Sequence, residues 1–261
     1  MGREDNAREF RDTEQKYTTD PDLARAVRDS VSRQSIIHCD DPLKDISRRF
    51  DCTEVIVNRQ RSFQAARGIQ GKACALNFAS FTHPGGNVAG GSDAQEESLC
   101  RISTLYPCLA DERIMDGFYR RHRGFPSRLF NSDIVYTPGV MIFKTDAPNP
   151  ITLSRQSWYE ADVITCAAPD LRDIKVSDDE LYAIHRERIG RIFNAAMSND
   201  ADVLILGAFG CGVFRNDPAI VAEAFRDVLK EYNGCFREAV FAIYSKDGDA
   251  NYSAFSKVLS S

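Results

Sequence analysis

The stretch "LNFASFTHPGGNVAGGSDAQEESLCRISTLYPCL" (residues 76–109) passes from an apolar run through a glycine-rich loop into a segment with helical periodicity. Strands that alternate with helices are typical of α/β folds. The β-rich runs are residues 54–57, 73–79, 133–136, 140–143, 161–168, 202–209 and 238–244, and the helical patterns are residues 94–106, 178–199 and 217–232. We therefore predict an α/β fold with helices on both faces of a mixed sheet. The wholly apolar run 203–206 is expected to be central.

The first fifty residues differ from the rest because they are polar and charged. Asp20 before Pro21 is a good cap followed by a good first helical residue, so two helices are expected in this region. Residues 34–50 look irregular. We predict an N-terminal helical extension (residues 1–50) that packs on one larger catalytic domain (residues 51–261).

Composition and charge limit the classes of partner. The chain has 261 residues, 43% of them hydrophobic, and its formal net charge is −5 without a long run of one sign. This balance does not favour sequence-specific nucleic-acid binding or an anionic membrane. With no apolar stretch long enough for a signal or a membrane span, we expect a soluble, cytoplasmic monomer. The eight cysteines lack paired short spacings, which favours reduced core thiols.

Glu96 and Glu97 stand at the predicted start of a helix. Carboxylates in a first helical turn are favoured by the helix dipole, so a solvated, purely structural pair is one interpretation. Alternatively, a buried pair raises the pKa of one member, as a general acid requires. The residues alone leave both interpretations open.

A second glycine-rich junction follows the run at 202–209, in "LGAFGCGVFRNDPAI" (residues 206–220). Ligands of open α/β sheets bind beyond the carboxyl ends of strands, where glycines allow close approach of a phosphate. The spacing is not GxGxxG and a Walker lysine is missing, which disfavours dehydrogenases and NTPases. Cys211 has no histidine nearby in sequence, and the four histidines are scattered, which disfavours a catalytic thiol or a metal site.

The two segments together resemble one family. The pattern GGN-VAGGSDA-QEE (residues 85–97) resembles the glycine run, seven-residue spacer and Gln-Glu-Glu motif of poly(ADP-ribose) glycohydrolases. Residues 206–225 resemble the phosphate loop of the bacterial-type enzymes in that family. The resemblance implies a three-layer α/β/α macrodomain that binds ADP-ribose or poly(ADP-ribose) and needs no metal or cofactor.

The resemblance also implies roles for individual residues. Glu97 would be the acid/base, Glu96 would position the ribose, and Gln95 would support the loop. The implied ADP-ribose contacts are Asn77 and Ser80 near the distal ribose, the glycine run Gly85, Gly86 and Asn87, the diphosphate-lining Gly210, Cys211, Gly212 and Val213, and Phe214 against the distal ribose. Asn87 departs from the pattern, which has a third glycine there. Asn tolerates a left-handed backbone, so we expect the turn to survive and the side chain to influence substrate preference.

The implied reaction is hydrolysis of ribose–ribose O-glycosidic bonds through an oxocarbenium-like state. The bacterial-type family favours the chain end, so the expected product is free ADP-ribose. Two alternatives share the pocket: a hydrolase that removes mono-ADP-ribose from protein or nucleobase, and a non-catalytic ADP-ribose-binding module. The intact glutamate pair argues against the last, because binding alone does not need a buried carboxylate beside an anionic ligand.

Overall fold

The structure is a computed structural model that describes residues 2–129, 131–244 and 250–259. The strands are β1 (Ser35–Ile37), β2 (Glu54–Asn58), β3 (Ala73–Phe78), β4 (Ile134–Ile142), β5 (Tyr159–Cys166), β6 (Val203–Leu206) and β7 (Glu238–Ala242). The α-helices are α1 (Arg3–Thr19), α2 (Pro21–Arg33), α3 (Ser62–Ala66), α4 (Gln95–Ile102), α5 (Leu105–Leu109), α6 (Glu112–Ile114), α7 (Arg121–Arg123), α8 (Asp178–Ser198), α9 (Pro218–Glu231) and α10 (Ala250–Leu259). A π-helix spans Met115–Arg120 and a 3₁₀ helix spans Arg155–Ser157. Within the described ranges, no helix is long and apolar enough to cross a membrane.

The seven strands form one mixed sheet in the order β1-β4-β5-β3-β6-β7-β2. β4 is antiparallel to both of its neighbours, whereas the pairs from β5 to β2 are parallel. The apolar β6 lies inside the sheet between β3 and β7, in agreement with its sequence. The carboxyl ends of β5, β3, β6, β7 and β2 therefore meet at one edge of the sheet.

Helices cover both faces, which confirms the predicted three-layer α/β/α class. Alternate residues of β3 enter opposite cores, as the two-residue period of a strand requires. Cys74 and Leu76 pack in the core beneath α8, α9 and α10. Ala73 and Ala75 pack in the core beneath α1, α3, α4 and α5.

The N-terminal helices form as the sequence predicts. Asp20 caps α2, because its carboxylate accepts hydrogen bonds from the backbone N–H groups of Asp22 (2.9 Å) and Leu23 (3.3 Å). α1 is docked by Lys144, a fully buried ammonium that binds Glu9 and Asp12. Both helices are thus fixed to the sheet layer.

Two expectations were wrong in detail. Residues 34–50 are not wholly irregular, because residues 35–37 pair with β4 as an edge strand. Residues 133–136 and 140–143 belong to one strand that continues through a bulge between Thr137 and Val140. Pro138-Gly139 resembles a turn in sequence, but Asp162 accepts the Gly139 N–H (2.8 Å) and keeps the chain in the sheet. α10 was not predicted.

All eight cysteines are free. Cys74, Cys100, Cys108, Cys166 and Cys235 are buried, as expected for core thiols. Cys52 is exposed and Cys39 and Cys211 are half-buried, so the expectation fails for these three.

Candidate active site

A cavity of about 880 Å³ opens at the carboxyl ends of β3, β6 and β7. Its walls come mainly from two loops that the sequence singled out, the β3–α4 loop (residues 79–94) and the β6–α9 loop (residues 207–217), together with the first turn of α4. This is where parallel sheets place their ligands.

Two glycines turn the β3–α4 loop sharply. Gly85 (φ +65°) and Gly86 (φ +60°) both adopt the left-handed conformation that side chains rarely tolerate. Any Cβ at Gly86 would lie 2.5 Å from Oε1 of Glu97 and 3.2 Å from Oε2 of Glu96. Glycine is therefore required for the loop to pass between the two carboxylates.

Glu96 is 3% exposed and Glu97 is 7% exposed, so neither lies on a solvated helix surface. Oε2 of Glu96 accepts the Ser80 N–H at 2.8 Å, and Oε1 accepts Nδ2 of Asn77 at 3.4 Å. Burial raises the pKa of Glu96 to about 8; the hydrogen bonds from Ser80, Asn77 and the Gly85 backbone oppose this shift, and the charge of Glu97 adds to it. Glu96 therefore retains its proton at neutral pH, beside the second buried carboxyl group, that of Glu97.

Glu97 differs from Glu96 in having one unoccupied oxygen. Its Oε1 accepts the backbone N–H of Asn87 at 3.1 Å. Its Oε2 is buried, and no described residue donates a hydrogen bond to it. A buried carboxyl oxygen without a donor costs free energy, which a donor on a ligand that enters the cavity beside Glu97 would recover.

Gln95 joins three elements beneath the loop. Its Nε2 donates to the carbonyl of Leu76 (2.8 Å) and to Oγ of Ser62 (3.0 Å), and its Oε1 accepts the Phe78 N–H (2.9 Å). These bonds fix the start of α4 against the end of β3.

Within the run 85–87, Gly85 and Gly86 are left-handed, and Asn87 does not share their positive φ. The turn forms as expected, but it does not use the tolerance of Asn for a left-handed backbone. The Asn87 side chain turns back within the loop, where Nδ2 donates to Oγ of Ser92 at 3.1 Å. Oδ1 of Asn87 lies 2.4 Å from the position of a Cβ at Gly90, so a side chain at position 90 would displace the Asn87 amide.

The β6–α9 loop is held from beneath. Gly210 (φ +79°) passes so close to Ala168 that a Cβ would lie 2.5 Å away. The buried Asn216 donates to the carbonyls of Gly210 and Pro169, both at 2.9 Å. Burial lowers the pKa of His185 to about 4, so its ring is neutral and its Nε2–H donates to Oδ1 of Asn216 (2.7 Å).

The outer face of the same loop is open. A Cβ at Gly212 would meet nothing within 4 Å, and Val213 is 61% exposed although it is apolar. Phe214 lines the cavity beneath the guanidinium of Arg172, whose carbon lies 5.7 Å from the ring centroid. The Leu171 N–H donates to the carbonyl of Phe214 at 3.0 Å and fixes its backbone.

Most of the expected contact residues come together around the cavity. Those that line it are Ser80, Gly86, Asn87, Gln95, Glu96, Glu97, Gly210, Gly212, Val213 and Phe214. Asn77, Gly85 and Cys211 were expected to contact the ligand but lie behind the wall. Asn77 is fully buried behind Glu96, and Gly85 packs against Cys100 and Tyr106. Burial raises the pKa of the Cys211 thiol, so it is not a poised nucleophile.

Sequence reasoning missed the opposite wall. Arg61 donates to Oδ1 of the buried Asp146 (2.7 Å) and to Oγ of Ser98 (2.8 Å), and its guanidinium carbon lies 4.8 Å from the Tyr244 ring centroid. These residues come from four separate segments. The sequence held one signal for this wall: Arg61 and Tyr244 lie just beyond the ends of β2 and β7, where parallel sheets bind their ligands. In residues 2–129, 131–244 and 250–259, no group of three or more His, Cys, Asp or Glu could hold a metal ion.

The chain is similar to proteins of one kind. The family described as "Microbial-type PARG, catalytic domain" matches residues 8–145. The poly(ADP-ribose) glycohydrolase (PARG) from Thermomonospora curvata is 28% identical, with a TM-score of 0.85 over 98% of this chain and 99% of that chain. The PARG from Deinococcus radiodurans in complex with ADP-ribose is 32% identical, with a TM-score of 0.80 over 89% of this chain and 96% of that chain. No curated protein matches the chain significantly.

Proposed function

This chain belongs to the microbial-type poly(ADP-ribose) glycohydrolase family, and we propose that it cleaves the ribose–ribose O-glycosidic bonds of poly(ADP-ribose) with Glu97 as the acid/base. Members of this family are glycosidases with the macrodomain-like fold seen here. The proposal extends to the direction of attack: the enzyme works from the chain end and releases ADP-ribose.

One observation carries the role of Glu97, namely the unoccupied Oε2. Glu96 holds a proton beside it at neutral pH, and the Glu97 oxygen without a protein partner is the position from which a proton can pass to a ligand. The oxygens of Glu96 are already engaged by Asn77 and the Ser80 backbone. Glu96 therefore suits the task of holding the distal ribose and sharing the proton.

The proposed reaction uses the different roles of Glu96 and Glu97. Glu97 in its acid form gives its proton to the departing ribose oxygen as the bond to the anomeric carbon breaks, leaving an oxocarbenium-like sugar. Glu97, now a carboxylate, takes a proton from water, and the water oxygen bonds to the anomeric carbon. The products are ADP-ribose with a free anomeric hydroxyl and a chain shorter by one unit. Glu97 ends in the acid form again.

The two loops suit different parts of the ligand. The open Gly212 and exposed Val213 support a diphosphate over the β6–α9 loop, where backbone N–H groups meet an anion. Phe214 would orient the distal ribose toward Glu97. The far wall near Tyr244 and Asn251 would take the adenine, since Tyr244 is a partly exposed aromatic ring on that wall.

The proposed action at the chain end requires that one ADP-ribose unit fill the cavity. The cavity volume is about 880 Å³, at the upper end of ordinary ligand pockets, which span about 300–1,000 Å³.

The test is a time course on poly(ADP-ribose) with products separated by length, beside calorimetric binding of ADP-ribose. Free ADP-ribose as the first product supports the proposal, and early free oligomers contradict chain-end attack. Inertness toward polymer with release of single ADP-ribose from a modified protein or base would instead assign a mono-ADP-ribosyl hydrolase. Tight binding of ADP-ribose without turnover of either substrate would identify the protein as a non-catalytic binding module.

A further inference from the structure

The N-terminal helix α1 touches the β3–α4 loop although neither Arg3 nor Asn6 lines the cavity. Asn6 is 3% exposed, and its Nδ2 donates to the carbonyl of Gly91 at 3.1 Å. Gly91 (φ +76°) lies so close to the helix that a Cβ there would be 1.9 Å from the carbonyl oxygen of Arg3. The helix and the loop are thus in direct backbone contact.

This contact lies six positions before the acid/base in the chain. Within the loop, the Gly91 N–H donates to the carbonyl of Val88 (3.0 Å) and the Ser92 N–H donates to the carbonyl of Asn87 (3.2 Å). The Asn87 N–H in turn donates to Oε1 of Glu97 (3.1 Å). A displacement of Gly91 is therefore transmitted to the donor that orients Glu97.

α1 also holds the other end of α4. The hydroxyl of Thr13 donates to the carbonyl of Arg101, and the buried Arg101 guanidinium binds the Ser92 carbonyl and Oδ1 of Asp93 (2.7 Å). The far end of the loop is thereby tied to the helix that carries the glutamates.

A third contact reaches the first glycine of the run. The ring of Phe10 meets that of Tyr106 edge to face with centroids 4.9 Å apart. Tyr106 in turn lies 2.8 Å from the position of a Cβ at Gly85. α1 therefore supports the loop at its beginning as well as at its end.

The docking of α1 is itself firm. Lys144 is fully buried, and its ammonium binds Glu9 and Asp12, both from α1. Removing these partners would leave a buried charge unpaired, which is strongly unfavourable. The helix is a fixed support rather than a loosely attached extension.

We infer that α1 is a positioning element of the active site and that Asn6 is the residue through which it orients Glu97. This inference rests on the role proposed for Glu97. The ligand sites on the β6–α9 loop and near Tyr244 do not contact Asn6, so loss of its hydrogen bond should lower kcat and leave ADP-ribose binding intact.

The test compares Asn6→Ala and Asn6→Asp in the full chain. Asp keeps the size of Asn but places a carboxylate oxygen against the Gly91 carbonyl, which repels it, while Lys144 still anchors α1 through Glu9 and Asp12. Both variants should lower kcat by roughly 10- to 100-fold through misplacement of the acid/base. The Kd for ADP-ribose should stay within about 2-fold, and the amides of residues 87–91 should exchange hydrogen faster than in the wild type. Asn199→Ala removes a remote side-chain amide that donates to the Ala195 carbonyl, and serves as the matched control.

Two results would overturn the inference: an unchanged kcat in folded Asn6→Asp, or a kcat that falls only in proportion to lost ADP-ribose binding. If the wild type fails to hydrolyse polymer, the proposed function fails, and amide exchange still decides the inference. Faster exchange in the β3–α4 loop of Asn6→Asp supports it, and unchanged exchange overturns it.

Discussion

The β3–α4 loop and the β6–α9 loop are both glycine-rich junctions between a parallel strand and a helix, yet they use their backbones in opposite ways. In the first, the N–H groups of Ser80 and Asn87 turn toward Glu96 and Glu97. In the second, Asn216 anchors the loop from beneath and the outer face near Gly212 stays open. One loop holds the protein's own anions, and the other is free to meet an anion of the ligand.

The difference shows that glycine content alone does not identify a phosphate site. Gly86 is required because two carboxylates stand beside it, and Gly210 because Ala168 and Asn216 do. Gly212 has no steric reason within the protein to be glycine. A glycine without an internal reason is the better marker of a ligand contact.

The largest expected effect is on catalysis at the first loop. Glu97→Gln removes the titrating group and keeps its shape, so kcat should fall by about 10²- to 10⁴-fold while ADP-ribose still binds. Steady-state turnover of poly(ADP-ribose) and calorimetry measure the two quantities. Glu223→Gln, at an exposed position on α9, is the matched control. Near-normal turnover in folded Glu97→Gln would remove Glu97 from the mechanism.

A substitution in the β6–α9 loop should change the affinity for ADP-ribose. Gly212→Val places a branched side chain in open space, so thermal stability should be kept while the Kd for ADP-ribose rises by roughly 10- to 100-fold, because the loop amides are screened from the diphosphate. Gly210→Val is the contrast, since its side chain would clash with Ala168 and destabilise the fold. An unchanged Kd for Gly212→Val would place the diphosphate elsewhere.

Phe214 lies on the second loop, lines the cavity and should show a smaller effect. Phe214→Ala should lower kcat by about 3- to 10-fold with little change in the Kd for ADP-ribose, because the ring orients the distal ribose and the backbone remains bonded to Leu171. A loss of affinity larger than the loss of rate would assign the ring to binding instead.

The smallest effect concerns stability and pH. The pKa of Glu96 rises from 4.5 to about 8 on folding, so the folded state holds the extra proton between these values. Its contribution to stability is complete below pH 4.5 and is lost as pH rises through 8, at no more than about 1.4 kcal/mol per pH unit. Glu96→Gln does not titrate, so its Tm relative to wild type should rise by a few degrees between pH 5 and pH 8. A pH-independent difference would mean that Glu96 is ionised throughout.

Local sequence patterns were sufficient to predict most of the fold. The helices near 178–199 and 217–232 and the strands near 73–79 and 203–206 form close to where their periodicity predicts. The separation of runs 133–136 and 140–143 was wrong because Pro and Gly are found in bulges as well as in turns, and the distinction depends on Asp162 in the neighbouring strand. The exposure of Cys52 and the pairing of residues 35–37 with β4 likewise depend on how segments distant in sequence pack.

By itself, the sequence determined the α/β class and the two glycine-rich junctions, because these depend on periodicity and on motifs within a few residues, and the resemblance of one motif to a known family implied Glu97 as the acid/base. Only the tertiary structure decided which glutamate oxygen is unoccupied, since that depends on donors from β3 and from the β3–α4 loop. It also decided that Asn87 bonds within its own loop and that Arg61 and Asp146 form the opposite wall. Burial and hydrogen-bond partners are properties of packed neighbours, and such neighbours are distant in the chain: Asn6 and Gly91 are 85 positions apart, as are Arg61 and Asp146.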